Sequence, residues 1–538
     1  MHDRTTGGIL WFRPCARPET GRGAIEWGVT DEPSSATLAA LRADLDAADY
    51  TADAVRAAWG PLADEAVGHG LPAPALRALT GRSDATATLC RLLFLGVPTP
   101  VVEVDAALPV CGARGLVDLD LATVDEGLVV PTAVLRPQDF ADAAGSGLWW
   151  IVSDLDESAL AARGGRGPLP TGHVLGVGGA SLTLAGLQLD TPVGRVLDLG
   201  SGCGIQALRA RRAADEVVAT DVSERALRLT RLNAELNGVT GISTRHGSLF
   251  EPVAGELFDR VVSNPPFVIT PRVAGVPEYE YRDAGFAGDD LVAAFIGGIG
   301  AVLAPGGTAQ LLANWEYRDG VDGLDRVRGW VESAPVALDA WVVERERLDP
   351  LAYAELWVRD GGTAPGSPEY ARLVEAWLDD FAARGVSEVG FGYVLLRRAT
   401  PDRPTLARYE RVTQPVAGAL GIHLGEALAA WDRLADLDDT ALTAQALIVA
   451  DDVTEARHHR PGEEAPRVIE LRQGGGFGRV LDVDPGLAAL VGACDGDLPA
   501  GALISAIADL LEVDADALRS ELLPRMRELL FTGFLRFA

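Results

Sequence analysis

The sequence predicts an α/β fold with a mostly parallel sheet at its centre, and three observations support this prediction. Between Val196 and Phe267, short apolar runs typical of buried strands alternate with segments of helical periodicity. Glycines at positions 200, 202 and 204 follow the first run directly, and a pair of prolines ends the fourth. Because strands joined by helices pair in parallel, their carboxyl ends meet at one edge of the sheet, where ligands of such folds bind.

Each element of this core follows from a local signal. Ser223 is a good N-cap for the second helix, and Gly238 stands just beyond its end. Further apolar runs downstream extend the sheet to seven strands. The predicted strands are Val196–Leu199, Glu216–Asp221, Ile242–Arg245, Phe258–Ser263, Thr308–Ala313, Ala337–Glu344 and Val389–Arg397, and the predicted helices are Ala207–Ala213, Glu224–Asn237, Asp289–Val302, Val321–Ser333, Leu348–Arg359 and Pro368–Arg384.

The glycine turn after the first strand predicts a ligand site. Three glycines between a strand and a helix let a ligand approach the backbone closely, and the helix offers free N–H groups. The G-x-G-x-G spacing differs from the dinucleotide fingerprint and from the P-loop. Asp221 ends the next strand, where its carboxylate can accept bonds from two ribose hydroxyls. Together these features predict an adenosine-type cofactor, and the alternative is a doubly wound domain without a nucleotide.

The segment Asn264, Pro265, Pro266 and Phe267 ends the fourth strand. Prolines at this place stop the ladder and fix a rigid turn. We expect the turn to aim the Asn264 amide oxygen and the Pro265 carbonyl at one planar NH2 group, while Phe267 stacks on the planar group that carries it. Such a clamp leaves the nitrogen lone pair free to attack. The alternative is an Asn-Pro turn without a function.

With these motifs, residues 172–398 resemble class I S-adenosylmethionine-dependent methyltransferases that carry an NPPF or NPPY signature, the small-domain group. This group includes ribosomal RNA guanine-N2 methyltransferases and release-factor glutamine methyltransferases. The resemblance implies a Rossmann-like sheet with an antiparallel seventh strand, and S-adenosylmethionine as the cofactor. It also implies that the cofactor-binding residues are Asp198, Gly200, Ser201, Gly202, Gly204, Asp221, Val222, Ser248, Leu249 and Asn264, and that the catalytic residues are Asn264, Pro265, Pro266 and Phe267.

Two further segments are candidates for the donor side of the site. Ser248 stands where the third motif of the group usually has aspartate, in Gly-Asp-Leu-Phe, and that motif contacts the adenine. Gly178, Gly179 and Ser181 precede the first core strand, in the segment that closes over the cofactor in similar enzymes. The alternative for these three residues is a simple glycine-rich turn.

The loop 268–288 is the candidate for the acceptor side. It is rich in aromatic residues and arginine, and we expect Tyr281 and Arg282, together with Phe267, to bind the substrate. A solvated surface loop is the alternative. Trp357 and Trp377 in the two additional helices are predicted to pack rather than to bind.

Composition limits the partners. The chain of 538 residues has a net charge of −30, which disfavours a general electrostatic grip on nucleic acid. Its five cysteines are scattered without a C-x-x-C pair, so we expect a reducing cytoplasm and neither a disulfide framework nor a metal site. The longest apolar run, 291–305, is too short to span a bilayer. We infer no membrane association and no obligate partner.

Four segments are predicted along the chain. Residues 1–34 form an irregular lead, 35–144 a helical, winged-helix-like accessory domain, 145–400 the methyltransferase domain, and 401–538 a C-terminal α+β, winged-helix-like domain. Winged helices bind nucleic acid, protein or peptide, or pack on a neighbouring domain.

The predicted function is N-methylation of a planar amino or amide nitrogen. An exocyclic base amine of ribosomal or transfer RNA is the main prediction, based on the signature. The alternatives are a glutamine or amine of a protein or peptide, and a small molecule. A binding or scaffold protein without activity would need a degenerate site, whereas the glycine turn and the segment 264–267 are intact.

Overall fold

The computed structural model describes residues 34–163, 172–273, 275–276, 285–400, 406–416 and 418–538. Residues 34–163 form a helical module with two small sheets. Its first helix forms because Leu38, Leu41 and Leu45 recur at helical spacing, and all three are buried. The helices are α1 Ser35–Ala47, α2 Ala52–Trp59, α3 Pro61–Gly68, α4 Ala73–Ala78, α5 Ala85–Leu89, α6 Val101–Ala107, α7 Gly112–Asp118 and α8 Glu157–Ala162, and the strands are β1 Thr99–Pro100, β2 Ala122–Asp125, β3 Leu128–Pro131, β4 Ala133–Asp142 and β5 Gly145–Asp154.

Two local sequence patterns in this module have different outcomes. The short run Leu116–Asp118 predicts a strand, which is wrong, because the run lies in α7, where Ala113 and Leu116 are buried at helical spacing. The apolar run Thr86–Leu95 predicts a helix, and the segment is helical, as α5 followed by a π-helical turn, Cys90–Phe94. Strands β1, β3 and β2 form one small sheet, while β4 and β5 form a separate hairpin. The predicted winged helix is therefore not confirmed. The predicted lead lies outside the described residues except for residue 34.

Residues 172–411 supply a large mixed sheet and the helices around it. The elements are α9 Gly179–Leu187, β6 Val193–Leu199, α10 Ile205–Arg211, β7 Ala214–Asp221, α11 Glu224–Leu236, β8 Ile242–His246, β9 Phe258–Ser263, α12 Asp290–Ile299, β10 Leu303–Arg318, α13 Gly323–Glu332, β11 Leu338–Leu348, α14 Pro350–Asp360, α15 Pro368–Ala383, β12 Val386–Arg398 and β13 Ala407–Arg411. The sheet order is β13-β11-β12-β10-β9-β6-β7-β8. All seven predicted strands are present, and β12 runs antiparallel to both of its neighbours as predicted.

The sheet has eight strands, one more than predicted. The sequence predicts mostly helix over Leu406–Leu437, but the additional strand, β13, lies in this stretch and pairs in parallel with β11. Its residues are too polar to give an apolar strand pattern. Side chains that are distant in the sequence hold it instead: Trp341 Nε1 donates to Glu410 at 2.7 Å, and Arg411 Nε donates to Glu344 at 3.0 Å.

The C-terminal part, residues 418–538, combines two small sheets with helices. The sequence predicts terminal helices at Leu487–Cys494, Leu503–Leu511 and Ala515–Thr532, and all three are present. It also predicts a strand over Leu442–Ala450, but the start of this stretch belongs to a helix, α17, Asp439–Thr443. A winged helix is not confirmed here either. No helix in the described ranges combines the length and the apolar character needed to cross a membrane. The elements are α16 Gly421–Ala435, α17 Asp439–Thr443, β14 Ala446–Val449, β15 Val453–His458, β16 Val468–Gln473, β17 Val480–Val483, α18 Pro485–Ala493, β18 Asp495–Pro499, α19 Ala500–Leu511, α20 Ala515–Phe531 and β19 Leu535–Phe537.

Asn233 of α11 and Asn237, which caps the C-terminal end of this helix, join the N-terminal hairpin to the large sheet. Asn233 receives a bond from the Val152 N–H at 2.8 Å and donates to the Val152 carbonyl at 2.9 Å. Asn237 makes the same pair of bonds with the main chain of Trp150, both at 2.8 Å. One face of a helix thus takes the place of a neighbouring strand for β5, and it satisfies main-chain groups that would otherwise be buried without partners.

Candidate active site

The predicted motifs meet at the carboxyl edge of the sheet. Leu199 of β6 lies opposite Ser263 of β9 on one side and opposite Thr220 of β7 on the other. Because these three residues are level, the residues that follow them, at positions 200, 264 and 221, lie side by side at this edge. The structure therefore brings the glycine turn, the predicted ribose acid and the predicted acceptor clamp to one place.

The glycine turn leaves room where side chains would stand. Gly200, Gly202 and Gly204 all have positive φ angles, of 78°, 53° and 86°, which favour glycine. A Cβ atom added at Gly200 or Gly202 would meet no heavy atom within 4 Å, whereas one at Gly204 would lie 3.0 Å from Thr230 of α11. The first two glycines thus border open space for a ligand. The third allows close packing of the turn on α11.

Asp221 has a structural role beside the predicted one. Its carboxylate accepts the Gly202 N–H at 3.0 Å and the Ser223 N–H at 2.9 Å, so it ties the glycine turn to the start of α11. Burial raises the pKa of Asp221. Each carboxylate oxygen retains a further lone pair, so the bonds leave capacity for hydroxyl donors, and the ribose contact stays a prediction.

Asp198 is a buried acid at the base of the glycine turn. Its side chain is fully buried, and neither carboxylate oxygen makes a well-formed hydrogen bond with a described residue. Burial, with a further contribution from the charge of Asp221, raises the pKa of Asp198 to about 8, while the Ala207 N–H of α10 acts in the opposite direction. A positively charged ligand group would compensate this carboxylate. The unpartnered acid and the open space at Gly200 and Gly202 therefore fit S-adenosylmethionine, which carries both a sulfonium and an ammonium group.

The third predicted motif, which contains Ser248 and Leu249, borders Asp221. The Gly247 N–H donates to the Asp221 carbonyl at 3.0 Å, and the exposed Ser248 follows directly. Leu249 has a positive φ of 46° and is partly buried. Val222 is 53% exposed, and its carbonyl lies 2.9 Å from His246 Nε2. These predicted residues surround Asp221, and their contacts with the cofactor stay predictions.

A segment before the first core strand is tied to the helix that follows the glycine turn by a residue outside the predicted site. Gly178 precedes α9, and Gly179 and Ser181 lie in its first turn. Gln206 of α10 is buried, and its Nε2 donates to the Ser181 carbonyl at 2.7 Å. A glutamine between the apolar residues Ile205 and Ala207 was the available signal.

The two oxygens that we expect to bind the acceptor, Asn264 Oδ1 and the Pro265 carbonyl, differ in their hydrogen bonds. Asn264 Oδ1 is buried without a hydrogen-bond partner among the described residues. The Pro265 carbonyl already accepts the Phe267 N–H at 2.7 Å, so the turn closes partly on itself, which the prediction did not include. Pro266 is the residue within this closed turn. A carbonyl oxygen has two lone pairs, so the Pro265 carbonyl can accept a second donor.

Phe267 faces aromatic and apolar neighbours. Its ring packs edge-on against Trp357 of α14, with 6.5 Å between the ring centroids, and lies beside an apolar cluster that includes Leu187 and Leu312. The packing of Trp357 agrees with its predicted role. The predicted stacking of Phe267 on a substrate stays a prediction.

Helices α14 and α15 hold the segment that follows the clamp. Tyr353 Oη accepts the Ile269 N–H at 2.9 Å and a bond from Asn314 Nδ2 at 3.0 Å. Trp377 Nε1 donates to the Ile269 carbonyl at 2.9 Å. Helices α14 and α15 lie between β11 and β12 in the sequence, and their side chains thus bind both main-chain groups of Ile269. The sequence analysis missed Tyr353 and Asn314, although Asn314 interrupts an apolar strand.

Two predicted substrate residues, Tyr281 and Arg282, lie outside the described residues. Among the residues that the structure describes, no group of three or more His, Cys, Asp or Glu side chains could hold a metal ion.

Family models match three segments of the chain. Residues 178–275 match the methyltransferase small domain. Residues 47–132 and 427–537 match two families described as domains of unknown function, DUF7059 and DUF7782.

Curated relatives are similar to about a quarter of the chain. The release factor glutamine methyltransferase of Xylella fastidiosa strain Temecula1 is 35% identical over 148 residues, which cover 26% of this chain and 54% of that protein. The protein of the same name from Deinococcus radiodurans is 38% identical over 144 residues, which cover 25% of this chain and 51% of that protein. The chain thus spans about half the length of the curated relatives it matches.

Solved structures show a weaker likeness. A ribosomal protein L11 methylase from Lactobacillus delbrueckii subsp. bulgaricus is 18% identical, with a TM-score of 0.23, and the match covers 41% of this chain and 82% of that one. At this TM-score the likeness carries no argument about function.

Proposed function

We propose that this chain, whose residues 178–275 are a class I S-adenosylmethionine-dependent methyltransferase domain of the small-domain group, is an N-methyltransferase that acts on the carboxamide of a glutamine in a protein. One observation carries the proposal: Asn264 Oδ1 is buried without a partner in the described chain, at the same sheet edge as Asp198 and the glycine turn. A buried acceptor without a donor is costly unless a ligand supplies the donor.

The residues of the site have separate tasks. S-adenosylmethionine would supply a methyl group from a positively charged sulfur, so that the sulfur–methyl bond breaks, a nitrogen–methyl bond forms and the nitrogen loses one proton to water. Asn264 Oδ1 and the second lone pair of the Pro265 carbonyl accept the two N–H groups of the carboxamide and so fix the direction of its nitrogen. Phe267 excludes water beside it. The protein thus contributes mainly alignment and desolvation.

The comparisons support a protein substrate over the predicted RNA base. Both curated relatives named above are called release factor glutamine methyltransferases. The net charge of −30 also opposes the binding of an RNA backbone, which needs cationic contacts.

Labelled methyl transfer tests the substrate class. The purified chain and methyl-labelled S-adenosylmethionine are added to lysate from a strain that lacks the gene, and to a release factor purified from unmethylated cells. We expect label that survives ribonuclease, is released by protease and lies on glutamine by mass spectrometry. Label in RNA or in small molecules would overturn the protein assignment, and absence of label in every fraction would overturn the activity.

A substitution tests the clamp itself. We expect Asn264→Ala to lower turnover roughly 100-fold, comparable to the loss of one oriented hydrogen-bond partner in other active sites. Cofactor affinity measured by calorimetry should change less than twofold, because Asn264 contacts the acceptor. A parallel loss of cofactor binding would show that this role is wrong.

A further inference from the structure

A second buried amide at the same edge of the sheet has an oxygen without a partner. Asn314, near the end of β10, is 1% exposed, and its Oδ1 has no hydrogen bond with any described residue. Thr270 Oγ1, three residues after the clamp, is also buried and unpartnered within the described ranges. Native proteins leave few such groups, and those that persist often await a ligand.

The register places Asn314 beside the clamp. Strands β9 and β10 are parallel neighbours, with Ser263 opposite Leu311. Asn314 therefore stands one strand away from Asn264 and two residues further along, a separation of about 8 Å between Cα atoms. Since side chains alternate along a strand, Asn314 shares a face with Leu312, which lies in the same apolar cluster as Phe267.

The direction of the Asn314 amide is fixed. Its Nδ2 donates to Tyr353 Oη, and the same hydroxyl accepts the Ile269 N–H. With the NH2 end of the amide on this side, the oxygen faces the other way. Asn264 Oδ1 and Asn314 Oδ1 are both acceptors, so a ligand with several N–H donors would satisfy them.

We infer that Asn314 is a second substrate-binding residue, whose Oδ1 accepts the main-chain N–H of the glutamine that is methylated. This inference rests on the proposed function and deepens it. A carboxamide has two N–H groups, and both are taken by Asn264 and Pro265. A third acceptor nearby therefore selects a substrate with a further N–H, and a peptide main chain supplies one at a side chain's length from the carboxamide.

The matched variants are Asn314→Leu and Gln473→Met. Gln473, in the C-terminal part, is also a buried amide that makes one bond through its nitrogen, to the Thr532 carbonyl at 3.0 Å, and has an unpartnered oxygen. Both substitutions remove a buried amide of the same kind, so their effects on stability should be similar. We expect only Asn314→Leu to raise KM for the labelled protein, by roughly tenfold, with cofactor affinity unchanged.

A synthetic peptide that carries the labelled glutamine separates this contact from a structural role. In its ester analogue the main-chain N–H of the glutamine is replaced by oxygen. We expect the wild-type chain to methylate the ester roughly tenfold less efficiently than the amide, and Asn314→Leu to methylate both equally. Equal loss with the ester in both proteins, or wild-type kinetics in Asn314→Leu, would overturn the inference. Failure of the wild-type chain to label any protein would instead overturn the proposed function.

Discussion

At the scale of single residues, Asp198 has an unfavourable environment without a ligand. A fully buried carboxylate that lacks partners among the described residues is stable mainly as the neutral acid, and burial, then Asp221, raises the pKa of Asp198 to about 8. The unfolded chain would release this proton near the ordinary value of 3.8. The folded state therefore holds an additional proton between these two pH values.

This difference predicts the behaviour of Asp198→Asn. The stability that the acid contributes is complete at low pH and is lost as pH rises through about 8. Asparagine cannot ionise, so the melting temperature of the variant should exceed that of the wild type by a margin that grows from pH 5 to about pH 8 and then levels off. Cofactor affinity should fall at least roughly tenfold, because the charge that compensates the cofactor is gone.

Thermal unfolding and calorimetry measure the two effects of this change. Asp215→Asn, an exposed acid at the start of β7, is the control and should behave as the wild type. A margin that does not depend on pH would contradict the assignment.

Asp221 combines two tasks that a cofactor analogue can separate. Asp221→Ala leaves the Gly202 and Ser223 N–H groups without their acceptor, so we predict a loss of about 1–3 kcal/mol of stability. Cofactor affinity should also fall. If the carboxylate binds the ribose, an analogue without ribose hydroxyls should bind weakly to the wild type and no more weakly to the variant. If the analogue bound the variant more weakly than it binds the wild type, the carboxylate would not act through the ribose, and its role would be to hold the glycine turn.

At the scale of elements, the inserted pair α14 and α15 acts on the clamp through Tyr353. We predict that Tyr353→Phe lowers turnover roughly tenfold with unchanged cofactor affinity, because the Ile269 N–H and Asn314 Nδ2 lose their common acceptor. Tyr370→Phe, on α15, is the control. Turnover, calorimetry and thermal unfolding together check this. Equal effects of the two substitutions would show that the helices matter only for packing.

The elements differ in how well the sequence predicts them. The strands of the large sheet are predictable, because a strand buried on both faces is a continuous apolar run bounded by glycine and proline. Strand β13 is not, since its polar residues are stabilised by Trp341 and Glu344, which are distant in the sequence. The short N-terminal segment 116–118 fails for a related reason, because three residues cannot distinguish the two periodicities.

The site divides in the same way. Its motif residues, from the glycine turn to Asn264, are predictable because each stands directly after a strand. Asn314 and Tyr353 are not, because their roles depend on a contact between β10 and an insertion. The shared Pro265 carbonyl is not predictable either, since a turn that closes on itself leaves no mark in the sequence.

At the scale of the whole molecule, Asn233 joins the N-terminal hairpin to the donor side of the site. It is fully buried, bonds both main-chain groups of Val152 and donates to the Cys203 carbonyl at 2.8 Å, within the glycine turn. We predict that Asn233→Leu costs about 3 kcal/mol or more of stability and also weakens cofactor binding, because three bonds are lost together.

Asn237→Ala provides the comparison. Asn237 bonds Trp150 in the same hairpin but makes no bond to the glycine turn. It should therefore lower the melting temperature and leave cofactor affinity unchanged. If both variants kept full affinity, the hairpin and the donor side would be energetically independent.

Because side chains at α11 bond the main chain of β5 in place of a neighbouring strand, the evolution of the N-terminal segment is constrained. A genetic exchange that replaced the N-terminal segment would have to reproduce donors and acceptors at both positions 150 and 152, in the same phase. A hairpin shifted by one residue would present its opposite face. The accessory segment and the catalytic sheet are therefore expected to be inherited as one unit, even where their surfaces diverge.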